Sequence, residues 1–296
     1  METFGYNTFY TLNEARELAA RRHAECRAAL LDACRRRNRR TSGRNPQPLI
    51  SHGTLLQLVG MAATMNTSPA YDDDAIHVTV HDMKDLRRTP GLRFHHWSHS
   101  SEIMHADELV AGVTPQQAIC QMAQYTDLRS LVIAMDWLTC ANPDLRACTH
   151  QELVDFVDGC GRFTGARLCR AAVALSRPGT DSPQETILRL ECNDYGLPEP
   201  QVNYPIPDML RGTGILKVDL AFPEDHVVVE YDGRYHYTLN RWEGDLEKRN
   251  RLRALGYEPF VATRRTFATQ ANLQEFLSMV ATAIMRYRMR DHSFGS

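Results

Sequence analysis

Three acids interrupt an apolar, strand-like run. In VDLAFPEDHVVVEYDG, residues 218–233, Asp219, Glu230 and Asp232 stand among Val, Leu, Ala and Phe. Asp and Glu are depleted in strands, and burying an unpaired charge is costly. Side chains alternate faces along a strand, so Lys217, Asp219 and Ala221 are expected on one face, opposite Val218, Leu220 and Phe222. On the next strand Val228, Glu230 and Asp232 oppose Val227, Val229 and Tyr231, and PEDH (223–226) joins the two strands as a tight hairpin. The three carboxylates then converge on one side with Lys217 beside them. Carboxylates that close repel unless protons or a cation neutralise them. Mg²⁺ (or Mn²⁺) binds through one or two carboxylates plus water and substrate phosphates, and suits such a place. The plainer alternative makes Asp232-Gly233 a strand-ending turn and pairs Asp219 with Lys217 or an arginine.

The elements that must hold these residues follow from periodicity. SRPGTDSP (176–183) is the clearest boundary in the chain. Beyond it the pattern reads helix (182–196), strands (201–206, 215–222, 226–232), a basic helix (240–255), a strand (258–263) and a last helix (272–290). Before it, residues 11–37 read as one helix and NRRTSGRNPQP (38–48) as a linker. Short elements follow: a helix after Ser51, strands at 75–81 and 92–98, and helices at 114–124, 127–139, 149–159 and 164–176. Thr149 and Glu152 form a capping-box pattern. The expected organisation is a basic N-terminal helix and linker (1–48), a mainly helical region (49–180) and an α/β (α+β) domain (181–296).

The segments SPQET, LRL, VDLAFPE, VVVEYDGRYH, KRNRL and GY, in that order, resemble the Vsr-like endonuclease-domain proteins of bacteria. These are part of the PD-(D/E)xK, restriction-endonuclease-like superfamily. The match spans residues 182–267, under a third of the chain. It implies a mixed sheet flanked by helices, with Glu185, Asp219, Glu230 and Asp232 at the shared acidic positions and His236 following. Glu185, Asp219 and Glu230 would then be the metal ligands. Where the superfamily motif has Lys after E-x, this chain has Asp232. Lys217 and Lys248 are stand-ins for that positive charge, His236 is an alternative acid or base, and Asp232 could instead recruit a second cation. Residues 50–180, through LISHGTLLQLVGM, IHVTV and AMDWL, are similar to the winged-helix-type region of AbiEi-like antitoxins. That resemblance implies a winged-helix-like, DNA-positioning part.

The basic residues fit a nucleic-acid partner. CRRRNRRTSGR (34–44) carries six Arg in eleven residues, among them Arg35, Arg36, Arg37, Arg39 and Arg40. Phosphate binding grows with the number of cations engaged. Arg234, Arg241 and Arg249 lie in or near the basic helix of the second domain. In both places a solvated charged face is the bland alternative. The net charge of −2 conceals this distribution, since residues 1–50 hold ten Arg against five acids.

Eight scattered cysteines without C-x-x-C suggest buried, reduced thiols rather than a disulfide framework or zinc ribbon. His77 and His81 share a strand face, and HHWSH adds His95, His96 and His99. Lacking Cys or Glu at ligand spacing, these read as core or surface histidines. The absence of a long apolar run argues against a membrane partner, and METFGYNTFY lacks signal-peptide order, so the expected compartment is the cytoplasm. The leading expectation is a metal-dependent nucleic-acid hydrolase, a DNA endonuclease. Its rival is a non-catalytic, antitoxin-like DNA-binding regulator with a degenerate nuclease fold.

Overall fold

The structure is a computed structural model that describes residues 12–37, 48–61, 65–210, 212, 214–232 and 239–294, side chains at 37, 239–242 and 291–294 excepted. Helix α1 (Leu12–Arg37) buries Ala15, Cys26 and Leu30, which recur at helical spacing along one side. It falls in one compact unit with the described elements that follow it up to Pro178. After α1 come β1 (Leu49–Ile50), α2 (His52–Leu58), β2 (Ile76–Val80), β3 (Leu92–His96), β4 (Met104–His105) and β5 (Ala111–Gly112). The unit closes with α3 (Pro115–Met122), α4 (Leu128–Leu138), α5 (His150–Gly159) and α6 (Ala166–Leu175).

Caps fix these helices where the sequence suggests. Thr114 and Asp127 accept the Gln117 and Ser130 backbone N–H groups, and Thr149 with Glu152 forms a capping box. Helix α4 is apolar nearly all round and is buried from Ser130 to Leu138. Its one acid, Asp136, is fully buried and accepts the Arg177 N–H at 2.7 Å. Gly165 precedes α6 at φ +88°, where an added Cβ would lie 2.7 Å from the Ala123 backbone. The close approach of α6 to the end of α3 therefore needs that glycine.

A region expected to be mainly helical also contains a five-stranded sheet, ordered β3-β2-β1-β5-β4. Pairs β2–β3 and β1–β5 are parallel, whereas β1–β2 and β4–β5 are antiparallel. Strand β2 reads as alternating, yet all five residues are buried. The polar ones have partners: Gln121 donates to the Thr79 hydroxyl at 2.9 Å, and His77 bonds the Asp72 carbonyl and His95.

The second compact unit is built on Gly179–Ser296. It contains α7 (Pro183–Asp194), β6 (Gln201–Pro207), β7 (Ile215–Phe222), β8 (Val227–Asp232), α8 (Leu239–Ala254), β9 (Glu258–Thr263) and α9 (Gln270–Phe294). Its sheet runs β6-β7-β8-β9, antiparallel except for the parallel β8–β9 pair, which α8 connects. One face packs Leu220, Phe222, Val227 and Val229 against Leu188 and Cys192 of α7 and Leu273, Leu277 and Val280 of α9. The other packs Leu216, Val218, Ala221 and Val228 against Leu252 of α8. Two mixed sheets with flanking helices make the protein mixed α/β. No described helix is long and apolar enough to cross a membrane.

Candidate functional site

The site begins at the first turn of α7. Ser182 caps the helix, its hydroxyl oxygen accepting the Glu185 N–H at 3.3 Å. Glu185 folds back: one carboxylate oxygen accepts the Ser182 hydroxyl and the other the Asp181 N–H, both at 2.8 Å. A carboxylate 6% exposed is thereby pinned at a helix N-terminus, where the helix dipole favours negative charge.

Strand β7 brings Asp219 toward it at a fork in the sheet. The β7–β8 ladder pairs Phe222 with Val227, Ala221 with Val228 and Leu220 with Val229. Strand β8 continues with β9 as far as the Asp232–Thr263 pair. At the fork, Asp219 Oδ2 accepts the Tyr231 N–H at 2.7 Å, so a side chain satisfies a backbone donor where the ladder stops. Beside it on β6, Asn203 has φ +48°, between the Val202–Leu220 and Tyr204–Val218 pairs.

This distortion corrects the expected strict alternation of β7. Val218 packs with Ala221 on the α8 side, while Leu220 and Phe222 pack on the α7/α9 side. The alternation breaks at Asp219. Glu230 shares the α8-facing parity of Val228 on β8, as does Asp232, which is half-buried.

Helix α8 supplies the cation. Leu252 is fully buried against the sheet, and Lys248, one turn earlier on the same side, forms an ion pair with Glu230. Arg251 pairs with the buried Asp208 at the end of β6. Lys217 is exposed and acts on Asp181, whose pKa it lowers. Of the two stand-in lysines, Lys248 contacts the acidic group.

Burial raises the Glu185 pKa, and the Asp219 carboxylate raises it further. Burial also raises Asp219, opposed by the Tyr231 N–H and Lys248 and reinforced by Glu230 and Asp181. Asp181 is itself raised by burial. Four carboxyls thus share a small region with one contacting lysine. Asp181 was not anticipated, because its segment reads as a domain boundary; no local pattern distinguishes it there. Among the described residues no three His, Cys, Asp or Glu stand ready around a single ion. Mg²⁺ needs only one or two protein carboxylates, the rest being water and phosphate oxygens. Asp219 and Glu230 fit that requirement; Glu185, with both oxygens in the helix cap, is the less available third.

Other expected residues are less engaged. Arg35 and Arg36 are exposed on the last turn of α1, Arg36 bonded to Asp32 at 2.7 Å. Arg249 is half-buried, with its Nε buried and lacking a hydrogen-bond partner, unlike a solvated phosphate-binding arm. Arg39, Arg40, Arg234 and His236, and the side chains of Arg37 and Arg241, lie outside the described residues. Six cysteines are buried, but Cys34 is exposed and Cys160 half-buried, contrary to the expectation for all eight. His81, His96 and His99 each bond a backbone carbonyl. Comparison with family models, curated proteins and solved structures gave no match for the chain.

Proposed function

We propose that the protein is a metal-dependent nucleic-acid phosphodiester hydrolase, a DNA endonuclease, with a restriction-endonuclease-like C-terminal unit. The observation that carries this reading is the fork between β7 and β8. There the Asp219 carboxylate, oriented by the Tyr231 N–H, lies near Glu230, and Lys248 reaches Glu230 from α8. One buried and one half-buried acid, both with raised pKa values, beside a lysine make a cation-seeking, chemically poised group. The resemblance of residues 182–267 to Vsr-like endonuclease domains supports the same reading. A bound Mg²⁺ or Mn²⁺ would polarise the scissile phosphate and lower the pKa of a nearby water.

The protein's own residues divide the remaining work. Asp219 and Glu230 would hold the cation, and Glu185, biased toward its protonated form by burial and Asp219, anchors the α7 cap beside them. Lys248 takes the place of the motif lysine that Asp232 replaces, setting an ammonium where charge develops on the phosphate. Glu230 positions that ammonium. The winged-helix reading of the N-terminal unit rests on the resemblance of residues 50–180 alone. It forms no part of the proposal.

The test is nicking of supercoiled plasmid across a Mg²⁺ and Mn²⁺ titration, with Asp219→Ala in parallel. Metal-dependent nicking by the wild type, abolished in the variant, is expected. Wild-type protein that binds DNA but cuts under neither metal would favour the non-catalytic regulator.

A further inference from the structure

The N-terminal unit holds a second concentration of titratable side chains that phosphodiester hydrolysis leaves unused. His52 opens α2, His77 lies on β2 and His95 on β3, with Tyr71 and Tyr125 closing around them. Ring centroids of His52 and His95 are 3.9 Å apart, those of His77 and His95 5.0 Å, and Tyr71 stacks on His77 at 4.1 Å. His52 and His77 are each 1% exposed.

The direction of the hydrogen bonds is forced. The Asp72 carbonyl, 2.8 Å from His77 Nε2, can only accept, so that nitrogen carries hydrogen. Neutral His77 then accepts at Nδ1 from His95 Nε2, 2.8 Å away. His95 Nδ1 in turn accepts from the Tyr125 hydroxyl at 3.3 Å. A proton added to His77 would set two N–H groups against each other. Added to His95, it would require the Tyr125 hydroxyl to turn round. His52 meets the Ser51 hydroxyl through Nδ1 at 2.8 Å, while its Nε2 is buried without a partner. Its backbone sits at φ +53°, a conformation an L-residue holds only when its surroundings impose it.

The charges around the cluster do not rescue a protonated state. Asp72 and Asp73, before β2, favour charge on His77, whereas Arg93 of β3 opposes it. Arg93 and His77 oppose charge on His95, and His77 and His95 oppose it on His52. Arg22 of α1 acts on Tyr71. Burial is the largest influence on each imidazole and lowers all three pKa values, His95 to about 3.

We propose that the His52–His77–His95 cluster is an acid-sensitive latch, holding α2 against β2 and β3 while its imidazoles are neutral and releasing on proton uptake. An opened imidazole titrates near its ordinary value of 6.5, above its value in the closed cluster. The closed form is therefore fully favoured above that value and progressively lost as pH falls below it. Each imidazole that protonates only in the open form shifts the opening equilibrium by about tenfold in all between about pH 7.5 and about pH 5.5.

Hydrogen exchange on the full chain at about pH 7.5 and about pH 5.5, corrected for intrinsic exchange, tests this. Protection of the α2 and β2 amides is expected to fall on the order of tenfold to a thousandfold at the lower pH. His77→Gln with His95→Gln retains a donor and an acceptor at each position and cannot take up the proton. It should lose correspondingly less protection, and where it fails to fold, His95→Gln alone should reduce the loss by about tenfold over the whole interval. Wild-type protection independent of pH, or a glutamine variant as acid-sensitive as the wild type, overturns the proposal.

Discussion

At the scale of single residues, the site turns on which lysine meets the acids. Lys248→Ala should slow cleavage on the order of a hundredfold, as when one transition-state donor is lost. Lys217→Ala should stay near wild type, because Lys217 is exposed and acts on Asp181 instead. Steady-state cleavage rates at saturating metal compare the two. Asp219 gives a second test through stability. Burial holds its folded pKa above the ordinary 3.8. Its contribution is then most favourable at low pH and is lost as pH rises through the folded value. Asp219→Asn keeps an acceptor for the Tyr231 N–H and removes the charge. Thermal melts without divalent metal should find it about 1–3 kcal/mol more stable than wild type at about pH 8, with the advantage shrinking toward about pH 4. An equal difference at both pH values would mean that Asp219 is not held under repulsion and burial.

At the scale of elements, Lys248 depends on the seat of α8. Leu252→Ala opens a cavity beneath that helix and should cost about 2–5 kcal/mol in chemical denaturation, with slower cleavage as Lys248 loosens. Leu252→Met keeps the volume and should preserve both. Most long elements were legible in the sequence, because their signals are local. The Thr114-Pro115 start of α3, the capping box of α5 and the periods of α7, β7, β8 and α9 each appear in a few adjacent residues. Strands β1, β4 and β5, two residues each, are too short to carry a period, so the five-stranded sheet was not legible. Asp219 and Glu230 were legible through their spacing and Glu185 through the resemblance, whereas Asp181 was not. The fork at Asp219 was not legible either, since it arises where β8 leaves β7 and continues with β9. His52 was hidden for the same reason: its partners His77 and His95 meet it only in the fold.

At the scale of the whole molecule, two compact units meet in sequence at Pro178–Gly179. Limited proteolysis should cut within residues 176–183 and leave a folded C-terminal fragment, identified by mass and by a cooperative melt. Cuts that ignore this segment would argue for one fused unit. The claim that joins sequence, fold and chemistry is that Asp219, Glu230 and Lys248 form a metal-dependent nuclease centre. Its most direct measurement is the cleavage rate of a labelled DNA duplex as a function of Mg²⁺ or Mn²⁺, with wild type, Lys248→Ala and Asp219→Ala side by side. The expected result is no cleavage in chelator, a metal-dependent rate in wild type, a rate on the order of a hundredfold lower without Lys248, and none without Asp219. Cleavage that persists in chelator or in Asp219→Ala, or a wild type inert under both metals, would contradict it.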